Sequence, residues 1–165
     1  MPRTAGEPRE RPGAARRRGR ETLLRALYQA DVCGDALAVT WEAAVAEERL
    51  PSEALAYATD VCRAVQERGA EVDAAVRRHL EHWSFERLGA IDRSVLRLAA
   101  AELVAMRGTP ARVVLDEAVA IAQKFGGAES GPFVNGLLDR LARQLRPGEL
   151  GEAAGGDRPA KRRGS

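Results

Sequence analysis

Apolar residues recur at a helical period through most of the chain. Between about residue 15 and residue 146 they return every three or four positions, as in helices with one buried face, and no stretch alternates long enough to form a strand. The pattern predicts an all-α body of about seven helices. The expected helices span 15–32, 37–49, 53–68, 71–82, 88–106, 110–126 and the segment between Pro132 and Pro147.

Hydroxyl residues and glycines mark the expected helix ends. Ser52 and Thr109 each precede a predicted helix, and we expect their side chains to cap it. Gly69 and Gly108 are expected to end the helices before them. Because the connections are short, neighbouring helices should pack antiparallel or at the angles of a helical bundle.

Both ends of the chain are rich in glycine, proline and charge, so 1–14 and 147–165 are expected to be disordered tails of one helical domain over 15–146. A chain of 165 residues suffices for one such domain. The sequence has no run of eighteen apolar residues and begins with a polar, arginine-rich segment. It therefore predicts neither a membrane span nor a secretory signal, and we expect the protein in the cytoplasm.

Charge is distributed unevenly along the chain. The net charge is only +2, but residues 1–25 carry +5 and residues 147–165 carry +1, which leaves −4 for the middle of the chain. A near-neutral to acidic body with a strongly basic N-terminal end indicates a localised contact with a polyanion.

No residue pattern indicates a catalytic, metal or cofactor site. His79 and His82 flank Glu81 at a helical spacing, but a third or fourth ligand for a metal is missing nearby. Cys33 and Cys62 have no close cysteine or histidine, and we expect reduced, partly buried thiols. The sequence predicts a protein that is not an enzyme and that uses no metal and no cofactor.

Arginines are concentrated at the start of the first predicted helix. Arg16, Arg17, Arg18 and Arg20 place like charges at the positive end of the helix dipole, which is unfavourable unless an anion binds there. Such a segment is typical of RNA binding, and a solvated run of charge is the alternative. We expect Tyr28, further along the helix, to be a half-buried core residue, and a hydrogen bond from its hydroxyl to a partner is the alternative.

A second candidate site lies at the start of the last predicted helix. Phe133 and Val134 are adjacent, so they cannot both face the core of a helix, and Val134 continues the apolar stripe. Phe133 is therefore expected to be partly exposed, where a ring beside backbone N–H groups suits base stacking. Packing of Phe133 against a neighbouring helix is the alternative.

Several short motifs occur together in a fixed order. They lie at 16–21, 26–28, 83, 87–88, 92–93, 96–99, 102–103, 116–118, 124–126 and 133–139, the last reading Phe133-Val134-Asn135-Gly136-Leu137-Leu138-Asp139. In these motifs the sequence resembles the NusB family of bacterial transcription antitermination factors over about 16–146. Two departures from the family are Gly19, where many relatives have alanine, and Pro132, where a basic residue is frequent.

The resemblance implies a fold of two small packed helical bundles and a role in transcription. Such proteins bind the single-stranded boxA element of nascent ribosomal RNA together with a small-subunit ribosomal protein, called NusE in this role. They thereby help elongating RNA polymerase to resist termination. The resemblance implies that their contact with the polymerase complex is indirect.

The resemblance also implies roles for individual residues. By position, the RNA contacts are Arg16, Arg17, Arg18, Arg20, Glu21, Glu129 and Phe133. Glu86 and Asp92 correspond to part of the face for the ribosomal protein. A homodimer that hides the RNA-binding surface is left open by the sequence.

Two other functions compete with this interpretation. A helical DNA-binding regulator would need a helix-turn-helix with an exposed polar recognition face, and no such spacing is found in the sequence. A helical enzyme or ligand carrier would need titratable groups that converge in a pocket.

Overall fold

The computed structural model describes residue 11 and residues 13–151, and these form an all-helical fold. Within this range there are six α-helices and one short 3₁₀ helix, with no strand. They are α1 (Ala14–Cys33), α2 (Leu37–Glu47), α3 (Ser52–Arg77), the 3₁₀ helix Phe85–Arg87, α4 (Ala90–Ala105), α5 (Ala111–Gly126) and α6 (Ser130–Leu145). The predicted fold class is confirmed.

Helix α3 has a kink at the place where the sequence predicts a helix boundary. The expected helices 53–68 and 71–82 join end to end as Ser52–Arg77, and Arg68 between them has non-helical angles, with φ −120° and ψ 21°. The expected break beside Gly69 is therefore present as a kink without a connecting loop, and the second segment ends at Arg77 and not at residue 82. Val72, Ala75 and Val76 beyond the kink are buried, which holds the second segment against the core.

The predicted side-chain caps are also wrong. Ser52 is the first residue of α3, and neither it nor Pro51 before it caps the helix through a side chain. Thr109 is buried, and its hydroxyl lies 2.9 Å from the hydroxyl of Tyr57. At the start of α5 the backbone N–H of Ala111 instead donates to Glu149, at 2.6 Å.

Helix α4 is the centre of the molecule. It packs against α1, α3, α5 and α6, and so joins the two small bundles. Its buried residues include a run of three alanines, Ala99, Ala100 and Ala101, whose small side chains let neighbouring helices approach closely.

A turn after α6 closes the core. Arg146 is buried and donates hydrogen bonds to the carbonyl oxygens of Glu102, Leu103 and Met106 at the C-terminal end of α4. Leu150 packs against the core, so the described part of the expected tail, 147–151, is a turn in contact with the domain. The rest of the expected tails, at 1–10, 12 and 152–165, lies outside the described residues.

Candidate nucleic-acid interface

Three of the four arginines at the start of α1 reach the surface, and each is held differently. The guanidinium of Arg16 lies over the ring of Tyr57, with Cζ 4.4 Å from the ring centroid, and its side chain is 39% exposed. An Nη of Arg16 is 3.4 Å from a carboxylate oxygen of Glu53. Arg18 donates to the backbone carbonyl of Arg49 at 3.3 Å. We call Arg16, Arg17 and Arg18 the surface arginines.

Arg17 is paired with an acid on another helix. Its Nε and Nη2 donate to the two carboxylate oxygens of Glu117 on α5, at 2.7 and 2.9 Å. The hydrogen bond and the negative charge of Glu117 raise the pKa of the Arg17 guanidinium. Half of the Arg17 side chain remains exposed, so one face of it is open to solvent.

Arg20 is not a surface residue. Only 3% of it is exposed, and its guanidinium pairs with Glu102 on α4, at 2.7 Å. Burial opposes the charge of Arg20, but the attraction and hydrogen bond of Glu102 outweigh it, so the pKa of Arg20 is raised. The expected direct contact of Arg20 with RNA is therefore corrected to an internal ion pair, because a buried, paired guanidinium is not accessible to a phosphate.

Tyr57 belongs to the same buried cluster. Its hydroxyl donates to Glu102 at 2.5 Å, and Arg20 lies 5.1 Å from the ring centroid. Burial and the negative charge of Glu102 raise the pKa of Tyr57 to about 12. The second carboxylate oxygen of Glu102 is buried with no hydrogen-bond partner among the described residues.

Gly19 brings α1 close to α3 beside the buried cluster of Arg20, Tyr57 and Glu102. A Cβ at residue 19 would lie 2.9 Å from the backbone oxygen of Ala54 and 3.3 Å from the side chain of Ala58. Gly19 is buried within α1, so its role is close helix packing and not the weakened helix start that its propensity suggests.

Glu21 connects α1 to the end of α5. Lys124 donates to both carboxylate oxygens of Glu21, at 3.0 and 3.1 Å, and its ammonium lies 5.3 Å from the centroid of Phe125. The Arg17–Glu117 and Glu21–Lys124 pairs both join α1 to α5. They follow the edge between these two helices towards the loop before α6. Lys124 is a basic residue of this edge that the analysis of charge along the sequence did not single out.

Glu129 and Phe133 lie where α5 turns into α6. Glu129 is exposed just before α6, and its side chain makes no capping bond. Phe133 is half-buried at the edge of the core, whereas Val134 is fully buried. The ring is therefore partly open at the N-terminal turn of α6, as the adjacency of the two residues indicated.

The residues expected on the protein-partner face lie around the start of α4. Glu86 is exposed and bonded to Arg77 at 2.7 Å, and its pKa is lowered by its own backbone N–H and by Arg77. Asp92 is half-buried in the first turn of α4. Its Oδ1 is buried without a hydrogen-bond partner in the described part of the chain, and it would lie 3.2 Å from a Cβ on Gly126.

An apolar groove lies beside Asp92, and the sequence analysis missed it. It measures about 440 Å³ and is lined by Leu24, Tyr28 and Val32 of α1, with Ile91 and Phe125 opposite. The lining is completed by three further residues of α1, Arg25, Gln29 and Cys33. The sequence contains a signal for this groove, because Leu24, Tyr28 and Val32 are spaced four apart and form a second apolar stripe on α1. Tyr28 is 40% exposed at this groove, so its expected place in the core is wrong.

The cysteines occupy different environments. Cys33 is exposed at the end of α1, so the expectation of a partly buried thiol is wrong there. Cys62 is buried, and burial raises its pKa to about 11. Over the described ranges, no group of three or more His, Cys, Asp or Glu side chains is placed to hold a metal ion, and no helix is long and apolar enough to cross a membrane.

An all-helical body with a basic helix start, a half-exposed ring and a separate apolar groove defines a small helical binding protein. The sequence model of the NusB family matches residues 17–143, and the chain belongs to that family. The transcription antitermination protein NusB of Myxococcus xanthus is 40% identical over 132 residues, covering 78% of this chain and 94% of the relative.

Solved structures of the family have the same fold. A structure of T. maritima NusB aligns with a TM-score of 0.73 at 38% identity, covering 78% of this chain and 91% of the other. A crystal structure of the antitermination factors NusB and NusE in complex with dsRNA aligns with a TM-score of 0.73 at 27% identity, covering 79% and 97% of the two chains.

Proposed function

We propose that this protein is a transcription antitermination factor without catalytic activity. It binds boxA-type single-stranded RNA of nascent ribosomal transcripts in the cytoplasm, together with a small-subunit ribosomal protein acting as NusE, and so helps RNA polymerase to resist termination. Membership of the NusB family supports this function, and a structural neighbour is a complex of NusB and NusE with dsRNA.

The observation that carries the RNA proposal is the edge between α1 and α5. The surface arginines lie at the first turns of α1, which has no acidic residue in its first turn, and the Glu21–Lys124 pair continues the edge towards the loop before α6. Glu129 and the partly open ring of Phe133 lie beyond that loop. Charge can therefore hold the phosphates at one end while a base stacks on the ring at the other.

The protein-partner proposal rests on a different surface. Asp92 follows Ile91, which lines the apolar groove, so a carboxylate lies near the α4 side of the groove, and Arg25 lines its α1 side. Ribosomal proteins are basic as a class, and complementary charge favours their association and orientation. We propose that the ribosomal protein docks over the groove and the start of α4, with Glu86 at its margin.

A titration of the purified chain with fluorescently labelled RNA tests the RNA proposal. We expect tighter binding to a boxA-like single strand than to a scrambled strand of the same length and composition. Duplex RNA and duplex DNA of the same sequence serve as comparison ligands. Equal affinity for the boxA-like and scrambled strands contradicts the proposal, and a preference for duplex DNA supports a DNA-binding regulator instead.

A further inference from the structure

We infer that Tyr57 is the positioning residue of the RNA site, because its ring holds the guanidinium of Arg16 ready to receive a phosphate. This inference rests on the proposed RNA-binding function. Cζ of Arg16 lies over the ring, 4.4 Å from its centroid, a geometry in which a cation is attracted to an aromatic face.

The ring of Tyr57 is itself fixed by hydrogen bonds at its hydroxyl. Its hydroxyl is held in the interior by Glu102, at 2.5 Å, and by Thr109, at 2.9 Å. Tyr57, Glu102 and Thr109 are all buried, and Arg20 completes the cluster through its ion pair with Glu102. Arg20 also donates to the Tyr57 hydroxyl, at 3.4 Å. Three buried residues thus hold the polar end of the ring, which presents a fixed surface to Arg16.

The close approach of α1 and α3 makes this arrangement possible. Arg16 and Arg20 are one turn apart on α1, and both lie over the ring of Tyr57 on α3, at 4.4 and 5.1 Å. Gly19 lies between them in sequence, at the point where α1 meets the backbone of Ala54. The glycine thus brings both guanidinium groups within reach of one ring.

Arg16 and Arg17 differ in how their partners affect the positive charge of the guanidinium. Arg17 is bonded by two contacts to Glu117, so a phosphate has to compete with a carboxylate. The main support of Arg16 is a neutral ring, since the carboxylate of Glu53 is 3.4 Å away and 76% exposed, where solvent screens the pair. The ring restricts Arg16 without neutralising it, so less conformational entropy is lost when a phosphate binds.

A double-mutant cycle on RNA affinity tests the inference. We expect Arg16→Gln and Tyr57→Leu each to weaken binding of a boxA-like RNA, by about tenfold for loss of one well-placed charged contact. The double variant should bind no more weakly than Arg16→Gln alone, because both changes remove the same contact. Tyr57→Phe keeps the ring face but loses the hydroxyl bonds that fix it, so its affinity for RNA should lie between those of the unmodified protein and Tyr57→Leu.

Arg17→Gln is the matched control for the cycle, since Arg17 is a surface arginine that does not lie over Tyr57. Its effect should multiply with that of Tyr57→Leu. If the effects of Arg16→Gln and Tyr57→Leu multiply in the same way, or if Tyr57→Leu binds RNA as the unmodified protein does, the positioning role is wrong.

An NMR measurement keeps the inference testable if Tyr57→Leu fails to fold, and it requires no RNA. The side-chain protons of Arg16 should be shifted upfield by the ring current of Tyr57 in the unmodified protein and in Tyr57→Phe. Ordinary shifts for these protons overturn the inference. A protein that shows the ring-current shift but binds no RNA contradicts the proposed function and leaves the Arg16–Tyr57 contact established.

Discussion

Phe133 and Val134 are neighbours in α6 with opposite surroundings, since Val134 is fully buried and Phe133 is partly open. We expect Phe133→Ala to weaken RNA binding by about 1–3 kcal/mol, the usual contribution of one stacked base. Val134→Ala, the matched control, should instead lower the free energy of unfolding and leave RNA affinity unchanged. RNA titration measures the change in affinity of both variants, and thermal unfolding measures the change in their stability. If Phe133→Ala destabilises the fold as much as the control and binds RNA normally, Phe133 is a core residue.

Arg20 and Arg17 both pair with an acid, but only Arg20 does so in the interior. Arg20→Gln should lower the free energy of unfolding by about 3–5 kcal/mol, because it leaves the Glu102 carboxylate buried without its cation. Arg17→Gln should lower it by about 1 kcal/mol or less, since that pair is partly exposed. Urea unfolding measures both changes. Equal effects of the two substitutions would show that burial of Arg20 does not matter for stability.

The helical period places Arg20 on one stripe with Leu23 and Leu27, which are buried, but Arg16 at the start of the same stripe reaches the surface. The burial of Arg20 also depends on a partner that the sequence does not reveal, because Glu102 lies 82 positions away in α4. Phe133 was different, because its place at the surface followed from the helical period and its neighbour Val134 alone. Local geometry was predictable at both sites, whereas a pairing between distant helices was not.

Helix α1 presents two different surfaces along its length. Its first turns carry the surface arginines, and its second half carries Leu24, Tyr28 and Val32 on the apolar groove. One helix therefore serves both the proposed RNA site and the proposed protein site. A shift of α1 would move both sites together, which gives the two ligands a physical route for coupling.

The salt dependence of RNA binding reports on the first turns of α1. Each phosphate contact to a single strand contributes a log–log slope of about −0.7, so loss of three should flatten the slope by about 2. We expect this change when the three surface arginines are replaced by glutamine. A control with Arg63, Arg68 and Arg78 replaced by glutamine changes the net charge equally on other exposed arginines. If both variants flatten the slope by the same amount, the contact with RNA is non-specific and not local to α1.

The sequence predicted the helices and their order well, because a buried face repeats along each of them. It also placed a break beside Gly69, one residue from the kink that divides α3 at Arg68. It did not predict that the two segments follow each other without a loop, with Val72 and Val76 of the second segment buried in the core. The way two helical segments join depends on tertiary contacts, which periodicity alone does not contain.

At the scale of the whole molecule, charge separates the two proposed binding surfaces. The first 25 residues carry +5 and the middle of the chain carries −4. We expect Asp92→Lys, alone or with Glu86→Lys, to weaken binding of the ribosomal protein far more than binding of RNA. Glu67→Lys, an exposed acid on α3, is the control for the change in charge. An intact complex with the doubly reversed variant would mean that this face does not bind the ribosomal protein.

Simultaneous binding of RNA and the ribosomal protein is the central claim, and the coupling between the two affinities tests it most directly. RNA affinity should be measured with and without saturating ribosomal protein, and the affinity for the ribosomal protein with and without saturating boxA-like RNA. We expect each ligand to raise the affinity for the other by the same factor, about 5-fold to 150-fold for sites coupled on one small body. An RNA affinity that is indifferent to the ribosomal protein, or that falls when it binds, would contradict the claim.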